Sequence, residues 1–496
     1  MPIWTIFIAP VGAAILCAVR GGLPYLDAVS KIAASTSLAV CTALGTLVLL
    51  DGPVPHSGLY ADYLSILVGG IISVVYAAAA FNSADYLARE GTGREARTMS
   101  HRFYFALLHT FAAALYLTVF TENMGVMWIA VEATTLSTAF LVGFYRNRHS
   151  LEAAWKYVIL CSIAIAFAMF GTTVLYFASL KVAGVPTLGW LSFMANAGQM
   201  NDSLVKLAFL CAAIGYGAKA GLAPLHFWLP DAHSQAPSPV SAMLSGVLLP
   251  TAFYALLRFY AVAVKAIGPD YPCAVLTLFG LLSIAIAAPF IIAARDAKRM
   301  LAFSSVEHMG VISLCVAAGT PLGFFAAGLH MIGHALAKSM AFLSAGYLVE
   351  QAGTRKISRL AGSISAFPQA AIVFLLSTLA LAGLPPFSIF ASKFGMITSL
   401  AQAGKVKTAA LAALLLAAVG AGLFRHAITI VFGTRPPSRK AAQHHAKPHT
   451  LPAGMLIWAA GFMLLMAMLG VFMPHWLYDL ISWSHHSIAG QEVLWR

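Results

Sequence analysis

The sequence is poor in charged residues. Lys, Arg, Asp and Glu make up 9% of its 496 residues, whereas soluble proteins carry about 25%. Apolar residues make up 60% of the chain, and the mean hydropathy is +0.83. These values exclude an ordinary soluble domain and predict an all-α polytopic membrane protein.

Cysteine is also scarce, and the spacing of the cysteines matches no disulfide or metal-binding motif. The six cysteines stand singly in apolar segments, and none forms a CxxC pair. Disulfide frameworks, zinc sites and iron–sulfur clusters need clustered cysteines, so we expect no metal and no cofactor in this chain. The sequence also lacks GxSxG and Walker lysine motifs, and therefore gives no support for catalysis on a soluble substrate.

Acidic residues are outnumbered by basic ones, and the formal net charge is +13. The basic residues are scattered through short loops and form no continuous stripe, so nucleic acid is not an expected partner. The lipid bilayer is the expected surroundings. The N-terminal MPIWTIFIAP lacks the basic flank of a signal peptide, which favours a retained first helix.

Apolar segments of about 20 residues each predict about fourteen transmembrane helices. Spans 7 and 12 are expected to be broken. The predicted spans are 2 to 19, 31 to 50, 60 to 82, 101 to 120, 124 to 145, 153 to 180, 204 to 228, 239 to 264, 272 to 293, 298 to 319, 322 to 349, 366 to 403, 407 to 432 and 453 to 480.

The distribution of basic residues predicts the orientation. Eighteen lie in the odd-numbered loops and four in the even-numbered loops, which places the odd loops in the cytoplasm and both termini outside it. The odd-loop residues are Arg20, Lys31, Arg89, Arg94, Arg97, Arg102, Arg146, Arg148, Arg295, Lys298, Arg299, Arg355, Lys356, Arg359, Arg435, Arg439, Lys440 and Lys447. The even-loop residues are Lys181, Lys265, Lys405 and Lys407.

Two apolar spans contain a similar Gly/Pro interruption. AGLAPLHFWL, with Pro224, matches AGLPPFSIFA, with Pro386, 162 positions later. Such paired interruptions are typical of transporters built from inverted repeats. Lys219 precedes the first break, and Lys393 follows the second. A lysine at bilayer depth is costly and suggests a functional site.

Further ionisable residues lie in the predicted spans. Glu132 is mid-span and needs a partner or a proton, for which Lys219 is the candidate; a helix-end glutamate is the alternative. Glu152 and Lys156 are four residues apart, as in a helical ion pair. Lys156 can therefore be structural, or it can act as a mobile countercharge to Lys219.

His330, His334 and Lys338 share one helix stripe, and Glu307 lies in the preceding span. Histidine titrates near neutrality, so this set favours a chain of proton-exchanging groups. Two alternatives remain: a metal site, for which HMIGH lacks the glutamate of HExxH, and core histidines bound by their neighbours.

Several of these segments together resemble a known family. WIAVEATTLS, AKAGLAPLHFWLPDAHSQAPSPVSAMLSGVLL, KRMLAFSSVEHMG, HMIGHALAKSMAFLSAG and GLPPFSIFASKF are similar to the antiporter-like membrane subunits of respiratory complex I, cation/proton antiporter complexes and group 4 membrane-bound hydrogenases. EAAWKYVILCSIAIAFAMFG and SSVEHMG look most like the hydrogenase-4 component F branch.

The resemblance implies two inverted five-helix repeats and a hydrophilic axis at the membrane midplane. It assigns proton-translocation roles to Glu132, Lys219, His330, His334, Lys338 and Lys393. The positions of Lys156 and Glu307 among the charged residues of the spans add these two to the predicted series. It divides the chain into a three-helix segment (1–100), a first repeat of helices 4 to 8 (101–265), a second repeat of helices 9 to 13 (266–433), and a C-terminal loop with helix 14 (434–496).

The match to the family departs at two places. Where many relatives read LLK in helix 8, this chain reads LLP with Pro250, so the relay between the halves needs other groups or water. Many component F relatives also carry glutamate at the position of Lys393.

The sequence therefore predicts a proton-translocating subunit of a redox-driven complex in the bacterial inner membrane, of the group 4 [NiFe]-hydrogenase, formate hydrogenlyase or complex I type. The expected partners are other membrane subunits and a peripheral redox arm. The alternatives are a subunit of a multisubunit sodium/proton antiporter and a non-pumping membrane scaffold.

Overall fold

A computed structural model describes residues 2–94, 100–183, 187–434 and 450–489. Within these ranges the regular secondary structure is helical apart from one antiparallel hairpin, β1 (Val54–His56) with β2 (Leu59–Ala61). The basic residues Arg97, Arg435, Arg439, Lys440 and Lys447 lie outside the described residues, as does most of the polar stretch 434–450.

The helices are α1 (Thr5–Val19), α2 (Leu23–Asp51), α3 (Tyr63–Arg94), α4 (His101–Phe120), α5 (Met124–Val142), α6 (Arg148–Ala183), α7 (Trp190–Asn196), α8 (Asp202–Lys219), α9 (Trp228–Gln235), α10 (Ser238–Met243), α11 (Leu249–Ile267), α12 (Asp270–Ile292), α13 (Ala297–Ala317), α14 (Pro321–Ala352), α15 (Ile357–Leu360), α16 (Ser363–Ala366), α17 (Pro368–Ala382), α18 (Ser388–Gln402), α19 (Val406–Phe432), α20 (Ala453–Val471) and α21 (His475–Ala489).

The helix lengths confirm a multi-pass membrane protein. Ten helices in the described ranges are long and apolar enough to cross a bilayer. The predicted count of fourteen is not reached by this criterion. Two of the predicted spans that have no counterpart among these ten helices are 204 to 228 and 366 to 403. They contain the Gly/Pro interruption, and each divides into shorter helices.

Both interruptions lie where the sequence predicts them, and they share one geometry. α8 ends at Lys219, and the N–H of Leu222 then bonds back to the Gly217 carbonyl at 2.8 Å across Gly221, which has a φ of 82°. α17 ends in the same way at Gly383, which has a φ of 84°. Glycine adopts this left-handed conformation without the steric cost of a Cβ, and such a residue ends a helix.

The most buried helices join the two halves of the chain. The segment Ser238–Ile267 and α13 are buried along their most apolar lengths. α10 and the turn after it pack against α14, which also contacts α13, α17 and α18. In the first half, α8 packs against α6 and α11. Several ionisable residues of these helices are therefore buried inside the protein: Lys219 on α8, Glu307 and His308 on α13, and His330, His334 and Lys338 on α14.

Predicted span 8 is one helical segment with a local change of pattern. Residues Leu244–Leu248 form a π-helical turn between α10 and α11, and Pro250 is the second residue of α11. In a π turn the N–H groups bond to the carbonyl five residues back. This turn lies against α14, the helix that carries His330, His334 and Lys338.

Candidate functional site

Lys219 is the last residue of α8, and its side chain is fully buried. Its ammonium Nζ donates to the Thr135 hydroxyl Oγ1 at 2.7 Å and to the Tyr157 hydroxyl at 2.8 Å. Neither of these two partners is a carboxylate. The aromatic rings of Tyr157 and Trp228 also lie near it, with their centroids 4.7 and 5.9 Å from Nζ.

Thr135 connects Lys219 to Glu132. The Thr135 hydroxyl donates to Glu132 Oε2 at 3.1 Å, and Ser162 donates to Glu132 Oε1 at 2.7 Å. A hydroxyl can accept one hydrogen bond while it donates another. The predicted pairing of Glu132 with Lys219 is therefore indirect, through one side chain. Glu132 itself is partly exposed.

The Tyr157 hydroxyl has its own chain of acceptors. It lies 2.8 Å from Thr138 Oγ1, and Thr138 donates its single proton to the Thr134 carbonyl. Thr138 must therefore accept from Tyr157, and Tyr157 accepts from Lys219. Because this branch ends at a backbone carbonyl, it holds the ammonium in place, whereas the branch through Thr135 ends at a carboxylate.

Lys156 lies apart from this buried cluster. Its side chain is half exposed and forms ion pairs with Glu152 at 2.7 Å and with Asp231 at 3.5 Å. Asp231 in turn binds Arg299 at 3.2 Å. The helical ion pair predicted from sequence is present, and the structure does not bring Lys156 to Lys219.

A second cluster lies across the break between α17 and α18. Lys393 Nζ is 3.0 Å from Glu307 Oε1 and donates to the carbonyl of Leu381 at 3.1 Å. Leu381 belongs to the last turn of α17, where free carbonyls attract a cation. The Lys393 ammonium therefore reaches back to the helix end that precedes the break.

Three side chains continue from Glu307. Glu307 Oε2 lies 3.4 Å from His308 Nε2, His308 Nδ1 lies 2.8 Å from His330 Nε2, and His330 Nδ1 lies 2.8 Å from the Ser392 hydroxyl. Ser392 donates its proton to the Ile389 carbonyl. With neutral imidazoles, each Nδ1 therefore carries a proton, and His308 Nε2 presents a lone pair to Glu307.

Lys338 and His334 complete the second cluster. The Lys338 ammonium donates to the Leu301 carbonyl at 2.7 Å and to the Ser304 hydroxyl. The His334 ring centre lies 5.1 Å from that of His308. His334 Nε2 lies 3.1 Å from the Ser245 carbonyl oxygen. His330 and His334, one helical turn apart, therefore have different hydrogen-bonding partners.

One buried residue between the two clusters was not singled out from sequence. The His233 ring on α9 is stacked on Phe342, with ring centres 5.0 Å apart. The Trp228 ring is also stacked on His233, with ring centres 6.4 Å apart. Its two ring nitrogens have no hydrogen-bond partner in the described part of the chain. Trp228 also lies near Lys219, so His233 stands between the first cluster and α14.

Sequence reasoning also missed Thr135, Tyr157 and Ser392, because it followed only acidic and basic residues. A usable signal was present for Thr135, which lies one helical turn after Glu132 and can therefore share its face. The partners of Tyr157 and Ser392 are distant in sequence, and no local spacing indicates them.

Comparison with known proteins identifies the family. A family model described as NADH:quinone oxidoreductase/Mrp antiporter, TM, matches residues 121–433. The chain belongs to this family. It is 37% identical over 408 residues to the Hydrogenase-4 component F homolog of Methylacidiphilum infernorum, covering 80% of this chain and 84% of the relative. The predicted resemblance to this family is thereby confirmed.

Two further comparisons give more distant similarities. Hydrogenase-4 component B of Escherichia coli is 29% identical, and the match covers 81% of this chain and 61% of that protein. A chain in the structure of the Mrp complex from Dietzia sp. superposes with a TM-score of 0.84 at 21% identity, over 98% of this chain and 97% of that chain. This superposition supports the polytopic helical fold.

Proposed function

We propose that this chain is the proton-translocating, antiporter-like subunit of a redox-driven membrane complex. Its family membership and its similarity to a Hydrogenase-4 component F homolog support this assignment. The proposed partners are other membrane subunits and a peripheral redox arm, which supplies the driving force. Moving one proton against 100 mV costs about 2.3 kcal/mol, so an exergonic partner reaction is required.

The observation that carries the proposal is the setting of Lys219. A buried ammonium is unfavourable unless its surroundings compensate for its lost hydration. Here neutral hydroxyls hold it, and the carboxylate of Glu132 lies one hydroxyl away. The balance between a charged and a neutral Lys219 therefore depends on Thr135 and Glu132. A group whose charge depends on a neighbour's position suits stepwise proton uptake and release.

The second cluster is proposed to be the corresponding site in the other half. Glu307 and Lys393 hold opposite charges in contact, His330 and His334 offer imidazole acceptors, and Lys338 faces α13. We propose that protons move among these groups through short hydrogen bonds and water. Lys156, which is exposed, is proposed to act at the surface on the position of α9 through Asp231.

The proposed orientation in the membrane is inferred from the distribution of basic residues among the loops. The odd loops face the cytoplasm, both termini lie outside it, and the membrane is the bacterial inner membrane. The matched breaks at Gly221 and Gly383 support a division into two repeats, 101–265 and 266–433, with 1–100 and 434–496 flanking them.

Substitution of Lys219 tests the proposal. In vesicles that contain the whole complex, Lys219→Ala should abolish redox-driven proton uptake while the complex still assembles. Lys206→Ala is the matched control, because Lys206 lies on the same helix and is exposed. Unchanged proton uptake by Lys219→Ala in a normally assembled complex would instead identify a non-pumping scaffold.

A subunit of a multisubunit sodium/proton antiporter is the second candidate. The family description and the superposition with a chain of the Mrp complex favour it. In that case, proton movement in vesicles would require sodium on the opposite side and would proceed without an electron donor. Proton uptake that is driven by the donor and unaffected by sodium would exclude this candidate.

A further inference from the structure

The π-helical turn at Leu244–Leu248 is followed, after Leu249, by Pro250. In this pattern the N–H of Leu249 bonds to the Leu244 carbonyl, and the N–H of residue 250 would bond to Ser245. Residue 250 is proline, which has no N–H to donate. The Ser245 carbonyl therefore lacks its helical donor inside a buried segment, Ser238–Ile267.

His334 supplies the missing donor. Its Nε2 lies 3.1 Å from the Ser245 carbonyl oxygen, and both residues are buried. A carbonyl oxygen only accepts, so the proton of a neutral His334 must lie on Nε2. Nδ1 is then an unprotonated acceptor, and it has no hydrogen-bond partner in the described part of the chain.

We propose that Pro250 is a positioning residue for proton exchange at His334. It leaves the Ser245 carbonyl open, this carbonyl holds His334 in the Nε2–H tautomer, and His334 then takes up and releases protons at Nδ1 alone. This inference rests on the proposed function, because it concerns one site in the proposed proton series.

The chemistry of the acceptor explains why exchange is confined to one nitrogen. The Ser245 carbonyl can hold the Nε2 proton, but it cannot accept that proton and pass it on. The groups nearest in the series are His308, whose ring centre is 5.1 Å away, and Lys338, one turn along α14. Water between these groups and Nδ1 would complete the exchange.

The same geometry bears on the difference between this chain and its relatives at Pro250, where many relatives have a lysine. A lysine in place of Pro250 would bring an ionisable side chain and would also restore the backbone N–H. This chain has neither at that position. A histidine from the facing helix, held by the backbone, takes its place between the two halves.

The test is the tautomer of His334 in the purified complex. With 15N-labelled histidine, solid-state NMR distinguishes Nε2–H from Nδ1–H imidazole, and the signal lost in His334→Gln identifies His334. We expect Nε2–H alone in the unmodified chain and a mixture of both tautomers in Pro250→Ala. Pro289→Ala is the matched control, because Pro289 also lies inside a helix, α12, and it should leave the signal unchanged.

Two results would overturn the proposal: an Nδ1–H tautomer in the unmodified chain, or the unmodified signal in Pro250→Ala. If Pro250→Ala does not assemble, His334→Gln decides, because a glutamine amide can still donate to Ser245 but cannot exchange protons. Proton uptake should be lost in assembled His334→Gln, and normal uptake contradicts the proposal. The tautomer is measured without proton transport, so it is separate from the Lys219→Ala test of the proposed function.

Discussion

Arg258 on α11 binds both carboxylate oxygens of Asp62, at 2.8 and 2.7 Å, inside the protein. Their side chains are 1% and 2% exposed. Ser65 also donates to the Asp62 carboxylate, and the Arg258 guanidinium lies 4.2 Å from the Trp190 ring centre. This ion pair joins the start of α3 to the helix that follows the π turn, so the N-terminal segment is bound to the buried centre by charge as well as by packing.

Removing one partner of this pair should destabilise the protein strongly. Breaking a buried ion pair leaves an uncompensated charge and typically costs about 3–5 kcal/mol. We expect Arg258→Met to lower the thermal unfolding temperature in detergent, and Asp62→Asn/Arg258→Met to recover part of the loss. Lys265→Met, at an exposed position on the same helix, is the control. A single variant as stable as the control would show that the pair contributes little.

Thr135 should be needed for transport through its hydroxyl. Thr135→Val keeps the shape but cannot accept from Lys219 or donate to Glu132, whereas Thr135→Ser retains both functions. Hydrogen bonds to charged groups contribute about 1.5–3 kcal/mol, so we expect proton uptake in vesicles to fall about tenfold or more in Thr135→Val. Thr135→Ser should remain close to the unmodified rate. Equal rates in the two variants would show that the hydroxyl is dispensable.

Gly221 should tolerate a side chain less well than Gly268, although both have a positive φ. An alanine in the left-handed region costs roughly 1–2 kcal/mol at either position. At Gly221 the added Cβ would also lie 2.7 Å from Leu229, whereas at Gly268 it meets open space. We therefore expect Gly221→Ala to lower the unfolding temperature more than Gly268→Ala. A similar loss in both variants would mean that Leu229 moves aside at little cost.

The helix breaks could be predicted because their causes are local. Gly221 and Pro224 act on the backbone at their own positions, and the sequence locates the break without knowledge of distant contacts. The π turn before Pro250 has a weaker local signal. The hydrogen bond between the Ser245 carbonyl and His334 joins residues 89 positions apart in the chain. Sequence spacing cannot show such a contact.

The environments of the charged residues show the same limit. Lys156 and Glu152 are a recognisable pair because they are one turn apart on a helix, but the second partner, Asp231, is 75 residues away. The intervening hydroxyl of Thr135 was missed for a different reason: it has no charge. Ionisable residues in apolar spans are therefore readily identified from sequence, whereas the neutral groups that connect them require coordinates.

Variants of the Lys393–Glu307 pair should distinguish the effect of the pair on stability from its effect on proton transport. Lys393→Met leaves the Glu307 carboxylate buried without its contacting cation, a loss of about 3–5 kcal/mol for a broken buried pair. Glu307→Gln/Lys393→Met removes both charges and should therefore unfold at a higher temperature than Lys393→Met alone. Proton uptake by vesicles should stay low in both variants, because both lack Lys393 and the double variant also lacks Glu307. If the double variant regained proton uptake together with stability, Glu307 and Lys393 would serve folding only.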